Sequence, residues 1–540
     1  MSEDNGHHGE KVIEEIRSLT IPPGWARASV GEVGDVRLGR QRSPKNRSAN
    51  FPTKYVRAAN ITWTGLDLSD VLDMEFRPGE LASYRLQPGD VLLSEASGSA
   101  GEVGKPAIWN GELEDCCFQN TVIRFRPRAV SSRFALVAFQ HFARNSVFAR
   151  VSKGVGIHHL SADRFASMPF LLPPKEEQRR IVAKIEELFS DLDAGVAALK
   201  RAKANLKRYR AAVLKAAVEG KLTEEWRAKH PKTEPASKLL ARILTERRKN
   251  WEADQLAKFA AAKKEPPKNW KEKYVEPSPP ETNGLPELPE GWCWTSVDQT
   301  SEVQGGIQKQ PKRAPGDNSF PFLRVANVHR NRLELDEIHR IELFGEELER
   351  LRLQPDDLLV VEGNGSKTEI GRSAIWRGEI ENCVHQNHII RVRFLAGSSR
   401  YLNAYWNSPS GNGRVMEQAA STSGLYTLSV TKVCALPLPL APLTEQQEIV
   451  EEVEQRLSLI AAAETQVAHD LLRADRLRQS ILKQAFEGKL VPQLPKDETA
   501  SVMLERLRAS RSAHEGNGNA ATPARTRGRR AKQQTNGESS

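Results

Sequence analysis

A chain of 540 residues, 39% hydrophobic and 27% charged, is long enough for several domains with real cores and has the balance of an ordinary soluble protein. No stretch approaches the roughly 20 apolar residues of a membrane-spanning helix, and the start, MSEDNGHHGEKVIEE, is acidic and polar where a signal peptide is basic and then apolar, so a cytoplasmic address is expected. The formal charge of +10 is only weak support for a polyanionic partner, while Cys116, Cys117, Cys293, Cys383 and Cys434 form no C-x-x-C pair and no zinc-like spacing with histidine; buried free thiols are expected, with no metal.

In chain order, residues 1–21 read as a mobile leader. A first head, residues 22–174, opens at Pro22-Pro23-Gly24-Trp25 and carries short apolar runs (YVRAANITW, DVLLSEAS, NTVIRFRP) broken by Gly, Pro and Asn, which is the pattern of strands. Phe134 to Ala149 has helical spacing instead. From Lys175 to Glu219 there is no proline and a single glycine, Gly195, and Val182, Ile185, Phe189, Leu192, Val196, Leu199, Leu206, Val213 and Ala217 fall on one seam. This first rod, residues 175–222, reads as one helix of about 65 Å at roughly 1.5 Å per residue.

A linker, residues 223–288, carries a predicted helix from Ala236 to Ala262 and a Pro-rich exit, EPSPPETNGLPELP. The second head, residues 289–442, opens at Pro289-Glu290-Gly291-Trp292 and repeats the first. Leu86-Gln87-Pro88-Gly89-Asp90 matches Leu353-Gln354-Pro355-Asp356-Asp357, and Ala107-Ile108-Trp109 matches Ala374-Ile375-Trp376. Gln119-Asn120 likewise matches Gln386-Asn387, each pair 267 positions apart, as 57 and 324 are for Arg57 and Arg324. The frame slips by one before the second rod, residues 443–490, whose seam is Val450, Val453, Leu457, Ile460, Val467, Leu471, Ala474, Ile481 and Ala485. Both rods close with Glu-Gly-Lys-Leu, so Gly220 and Gly488 read as helix stops. A short helix, residues 491–511, contains ASVMLERLR, which resembles ASKLLARIL after the first rod. The tail, residues 512–540, with Arg525, Arg527, Arg529, Arg530 and Lys532 among Gly, Asn and Gln, is expected to be disordered and solvated. The fold class is therefore α+β, two similar mixed α/β heads each followed by a long helix, and the repeat favours the two helices pairing with each other.

Taken as an ordered duplicate set, the Gly-Trp openings, the Gly-Asp-Val and Asp-Asp-Leu turns, the Glu-Gln starts of the rods and their Glu-Gly-Lys-Leu ends resemble the DNA-specificity subunit of type I restriction-modification systems. The resemblance covers roughly residues 22–510. It implies a protein without chemistry of its own, in which each head is a target recognition domain reading one half of a split, asymmetric double-stranded DNA sequence. It implies that the rods pair as an antiparallel coiled coil and fix the spacing of the halves. It implies methyltransferase subunits, two of them, that methylate adenine N6 with S-adenosylmethionine, and possible motor-nuclease subunits using ATP and Mg; no cofactor falls to this chain. The resemblance assigns no job to the linker helix.

Specific DNA binding needs Lys and Arg for phosphates and Arg, Lys, Asn or Gln for base edges. Loops with that mixture in head one hold Arg37, Arg40, Gln41, Arg42 and Lys45, then Ser97 and Ser99, then Lys153 with His158 and His159. In head two they hold Gln308, Lys309, Gln310, Lys312 and Arg313, then Asn364, Ser366 and Lys367, then Ser423 with Tyr426 and Thr427. Arg57 with Arg324 and Asn60 with Asn327 are the same in both heads, which suits phosphate positioning or a structural turn better than discrimination between half-sites. Lys200, Arg201, Lys203, Lys207, Arg208, Arg210 and Lys215 make one side of the first rod basic, a solvated face at least as readily as a DNA or partner track.

Two rival readings are a self-contained enzyme, nuclease or methyltransferase, and a structural protein that reads no sequence. A self-contained nuclease would use Asp90 with Glu95, or Asp357 with Glu362, but the lysine expected two residues on is replaced by Ser97 and Asn364. A self-contained adenine methyltransferase has nothing nearer its Asn/Asp-Pro-Pro-Tyr/Phe motif than Ser278-Pro279-Pro280-Glu281, and Gly104-Lys105-Pro106 fails as a phosphate loop. A non-specific coiled-coil architectural DNA-binding protein is the other alternative, and divergent polar loops on matched heads argue against it.

Overall fold

The computed structural model describes residues 4–41, 52–152, 158–422 and 424–518. The chain forms two compact units that do not follow chain order: Met1–Ala198 with Asp470–Ser540, and Leu199–His469. Each unit therefore holds one head, the beginning of the rod that follows it, and the end of the other rod.

In unit one an antiparallel sheet runs in the order Gly34–Leu38, Val122–Pro127, Val91–Ser94, Pro106–Ile108. The two-residue period of a strand sends Val91 and Leu93 to one face, into a core with Phe125, Phe134, Phe139 and Phe170, and sends Leu92 to the other, into a core with Val56, Trp109 and Phe118. Beyond that second core lies a smaller sheet in which Pro52–Val56 pairs parallel to Cys117–Phe118 and antiparallel to Leu72–Glu75. The helical stretch anticipated at Phe134 to Ala149 is two helices, Ser132–Arg144 and Val147–Val151, because the chain turns at Ser146 with φ 55°. Unit two repeats this plan, with the sheet order Ser301–Gly305, Ile389–Phe394, Leu358–Val361, Ser373–Ile375 and the small sheet built on Ser319–Leu323.

The rods are the helices Lys175–Val218 and Leu443–Phe486, 44 residues each. In unit one Ile181, Val182 and Ile185, early in the first rod, share a core with Leu482, Ala485 and Phe486, late in the second, and Asp193 pairs with Arg478. In unit two Val213, Leu214, Ala217 and Val218, late in the first rod, share a core with Ile449, Val450 and Val453, early in the second, and Arg210 meets Glu464 at 2.9 Å. Early turns meet late turns in each unit, so the helices pair antiparallel. Each rod ends as its sequence indicates: Gly220 and Gly488 adopt φ +68° and +65°, and Lys221 N and Lys489 N reach back to Ala216 O and Gln484 O at 2.8 Å.

Two segments depart from expectation, and a third, found where it is predicted, gains a contact. Residues 4–18, read as part of a mobile leader, form the helix Asp4–Ser18, whose Val12 is buried in the head-one core. Its apolar residues are too few to signal a helix locally; the head supplies the surface they cover. The C-terminal helix, Ala500–Gly518, continues through residues 512–518, which were assigned to the tail, while the basic residues Arg525 to Lys532 lie outside the described residues. The linker helix, Ala236–Ala261, acquires a role: Ala236 N donates to Gly291 O at 2.8 Å, and Ala500 N donates to Gly24 O at 2.8 Å. Each helix that follows a rod thus docks on the entrance of the head in its own unit, which is not the head that precedes it in the chain. The linker then folds back, with Trp270 stacked on Trp251 at 5.9 Å and Tyr274 against Trp251 at 5.3 Å.

Cys116, Cys117 and Cys383 are buried free thiols, each pushed up to about 12 by burial, whereas Cys293 and Cys434 are free but half-buried. Among the described residues no helix is long and apolar enough to cross a membrane.

Candidate nucleic-acid interface

The Gly-Trp and Glu-Gln motifs meet at the base of each head. Trp25 Nε1 donates to Glu177 Oε1 at 3.0 Å, and Trp292 Nε1 donates to Glu445 Oε2 at 2.9 Å. Both carboxylates are buried, and each receives a second donor from the segment after the opposite rod: Gln493 Nε2 at 3.2 Å for Glu177, Thr223 Oγ1 at 2.7 Å for Glu445. Gln178 Nε2 and Gln446 Nε2 donate to the carbonyls of Pro173 and Ala441 at 3.0 and 2.9 Å. Buried charge needs such partners, so these contacts set how a head is mounted on its rod.

Inside the heads a second matched set holds the sheet. Asp90 accepts from Arg126 Nε at 2.7 Å and NH2 at 2.8 Å, and Asp357 accepts from Arg393 at 2.8 and 2.9 Å. Both aspartate side chains are 1% exposed or less. A carboxylate closed by a two-pronged guanidinium is a structural ion pair, which removes the pairing of Asp90 with Glu95, or Asp357 with Glu362, as a nuclease site.

Asn60 and Asn327, taken as candidate DNA contacts, are corrected to turn residues. Asn60 Nδ2 donates to Asp67 O and Asp70 O at 2.9 Å, and Asn327 Nδ2 donates to Glu334 O and Glu337 O at 2.9 and 3.0 Å. Their Oδ1 atoms accept from Arg57 N and Arg324 N at 3.0 and 2.8 Å, which leaves both side chains saturated and buried. Arg57 and Arg324 are half-buried and pair with Asp70 and Glu337.

Arg40 and Arg313 are likewise committed internally. Arg40 pairs with Glu80 at 3.0 Å, lies over the Phe76 ring at 5.2 Å and donates to Glu75 O. Arg313 pairs with Glu347 at 2.8 Å, lies over the Phe344 ring at 5.0 Å and donates to Glu342 O. Glu80 and Glu347 are matched positions but the arginines are not, since Ile307 stands opposite Arg40; one carboxylate pocket is filled from two places in the chain. Arg313 holds Glu347 down to about 2 through these hydrogen bonds.

Some of the remaining candidates are brought together by strand pairing. In head one Ala96–Ser97 pairs antiparallel with His158–His159, setting Ser97 opposite His158 with Ser99 just beyond. In head two Gly363–Asn364 pairs with Leu425–Thr427, setting Asn364 opposite Tyr426, with Thr427 next in the strand and Ser366 and Lys367 in the exposed loop that follows. Segments far apart in sequence thus form one small β-ladder at the same place in each head, with different side chains on it. Arg37 and Gln41 are exposed in head one, and Gln308, Lys309 and Lys312 are exposed in head two with Gln310 half-buried. Arg42, Lys45, Lys153 and Ser423 lie outside the described residues. On the first rod Lys200, Arg201, Lys203, Lys207, Arg208 and Lys215 are exposed, whereas Arg210 is spent on Glu464.

Residues 22–202 match the model of the type I restriction modification DNA specificity domain. Along the whole chain, the specificity subunit of the EcoKI type I restriction enzyme of Escherichia coli K12 is 28% identical over 92% of this chain and 97% of its own length, and the StySPI specificity subunit of Salmonella potsdam is 27% identical over the same shares. The chain is thus similar along its whole length to type I restriction enzyme specificity subunits, and residues 22–202 match the DNA specificity domain. A solved chain from work on complex assembly and conformational transition of the type I R-M system shares the fold, with a TM-score of 0.59 and 18% identity over 87% of this chain and 100% of that one.

The sequence alone does not single out three residues beside the ladders: Glu95, Glu362 and His388. Glu95 Oε1 lies 3.2 Å from His159 Nδ1, and Glu362 Oε2 lies 3.2 Å from His388 Nδ1. Glu95 lies within the Ser94 to Ser99 loop that the sequence offers as a DNA surface, but by residue type Glu95 and Glu362 suggest only a carboxylate pair with Asp90 or Asp357. Nothing in a linear sequence announces that a histidine 64 positions on, or 26, closes on them.

Proposed function

We propose that this chain is a specificity subunit that reads a bipartite, asymmetric double-stranded DNA site, one half with each head, and directs adenine-N6 methylation by partner methyltransferase subunits, two per specificity subunit. The observation that carries this reading is the pair of matched β-ladders: a common buried frame of Asp90–Arg126 and Asp357–Arg393 supports ladders faced by Ser97 and His158 in one head and by Asn364 and Tyr426 in the other. Two frames alike with two faces unlike are what two different half-sites require, whereas a non-specific architectural protein has no use for the difference.

S-adenosylmethionine would then sit on the methyltransferase partners and ATP with Mg on any motor-nuclease subunit, with no cofactor on this chain. Arg37, Gln41, Gln308, Lys309, Gln310, Lys312 and Lys367 supply polar and cationic groups suited to phosphates and base edges, and Ser97, Ser99, His158, His159, Asn364, Ser366, Tyr426 and Thr427 supply the ladder faces. The cytoplasm is the natural address for such a function. Methylome sequencing of cells with and without this gene tests the proposal: one split motif, methylated on adenine in both halves, should vanish with the gene. An unchanged methylome, or robust methyl transfer by the isolated chain, contradicts it.

A further inference from the structure

Glu95 and Glu362 are matched positions, each between a buried strand (Val91–Ser94, Leu358–Val361) and the short ladder strand that follows. Their backbones are fully engaged and alike. Glu95 N donates to Thr121 O and Leu160 N donates to Glu95 O, both at 2.9 Å; Glu362 N donates to His388 O at 2.9 Å and Leu428 N donates to Glu362 O at 2.8 Å. The side chains are partly sheltered, 18% and 28% exposed.

Their partners set these carboxylates apart. Asp90, Glu80, Asp357 and Glu347 are each closed by an arginine, which neutralises the charge. Glu95 and Glu362 instead meet one imidazole nitrogen each, on Oε1 and Oε2 respectively, and among the described residues Oε2 of Glu95 and Oε1 of Glu362 remain open acceptors. The imidazoles come from different segments: His159 lies on the ladder strand, while His388 lies in the turn before Ile389, where head one has Thr121. A contact whose purpose was to pin the ladder would not be made in head two from outside it.

A carboxylate on a DNA-facing surface is repelled by phosphates. Its favourable partner on a duplex is an exocyclic amino group, cytosine N4 or adenine N6, presented in the major groove. We propose that Glu95 and Glu362 are base-reading acceptors, one per half-site, each oriented by its histidine and each taking a hydrogen bond from such an amino group. This rests on the reading of the heads as DNA-sequence readers. Partial burial sharpens the choice, because a base without the amino donor leaves a half-desolvated carboxylate unpaired.

The test uses the specificity subunit assembled with its methyltransferase partners and a library randomised in both half-sites, at one fixed salt concentration. Glu95→Ala and Glu95→Gln should relax preference at a single cytosine or adenine position of one half-site by roughly 5- to 150-fold. Glu362→Ala and Glu362→Gln should do so in the other half. Affinity for random DNA should stay level or rise, as a negative charge has been removed. Unchanged preference at every position overturns the proposal, and so does a uniform loss across one half-site, which marks a structural role. If the alanine variants melt, the isosteric glutamine variants decide, and melting of these too overturns it. A wild-type complex without any sequence preference would instead strike at the specificity reading itself.

Discussion

At one matched core position head one carries Phe118 and head two carries His385. The Arg124 guanidinium lies 5.7 Å from the Phe118 ring centre. His385 is fully buried, its Nδ1–H donates to Ile389 O at 2.9 Å, and its Nε2 has no partner. Burial pushes this imidazole down from 6.5 to about 4. Its folded value lies below its unfolded one, so the stability it contributes is complete above pH 6.5 and is lost as the pH falls toward 4, on the order of 3 kcal/mol in all. His385→Phe should remove that loss. Urea unfolding of the purified chain at pH 7 and at pH 4.5 should show the variant gaining on the wild type as acid is added, and parallel pH profiles would refute it.

At the scale of elements, the rod ends and head entrances are built against each other. A Cβ on Gly488 would lie 2.2 Å from Pro22 Cγ, and one on Gly220 would lie 2.5 Å from Pro289 Cγ, and both glycines hold left-handed φ. Gly488→Ala should therefore destabilise unit one, and Gly220→Ala unit two, by about 1 kcal/mol for backbone conformation plus about 1–3 kcal/mol for overpacking. Denaturation followed through Trp25 or Trp292 fluorescence would register each; a loss below 0.5 kcal/mol, the usual range of surface changes, would mean that the proline gives way freely. The rods offer a second expectation. One extra heptad inserted at matched positions of both rods adds roughly 10 Å of helix, or about three base pairs of duplex, to the unread gap without altering the bases read. An active variant with an unchanged gap would count against the rods as a ruler.

At the scale of the whole molecule, each unit has its own hydrophobic cores and its own latch, Trp25–Glu177 in one and Trp292–Glu445 in the other. Base contacts in one head need not depend on the other. Replacing Trp25 to Leu160 by the equivalent segment of a differently specific relative should change one half of the recognised sequence and leave the other intact, as read from the methylome. Changes in both halves of an active hybrid would show that the heads read DNA jointly.

Taken by itself, the sequence determined those features whose cause is local. The rods follow from a sustained seam and the absence of proline, the stops at Gly220 and Gly488 from the need for left-handed backbone, and the strands of both heads from short apolar runs broken by Gly, Pro and Asn. The offset of 267 between the heads is a property of the string, and with it came the division into heads and rods and the family resemblance. Tertiary structure alone decided which distant segments meet. Val12 of the supposed leader finds a core, and Ala500 caps the entrance at Gly24. Arg40 and Arg313 turn inward to the same carboxylate pocket from unmatched positions, and His159 and His388 reach Glu95 and Glu362 by different routes. The physical reason is that periodicity reports the geometry of a residue with its near neighbours, whereas an ion pair or a hydrogen bond depends only on where the chain returns in space. Many sequences of return are compatible with the same local pattern.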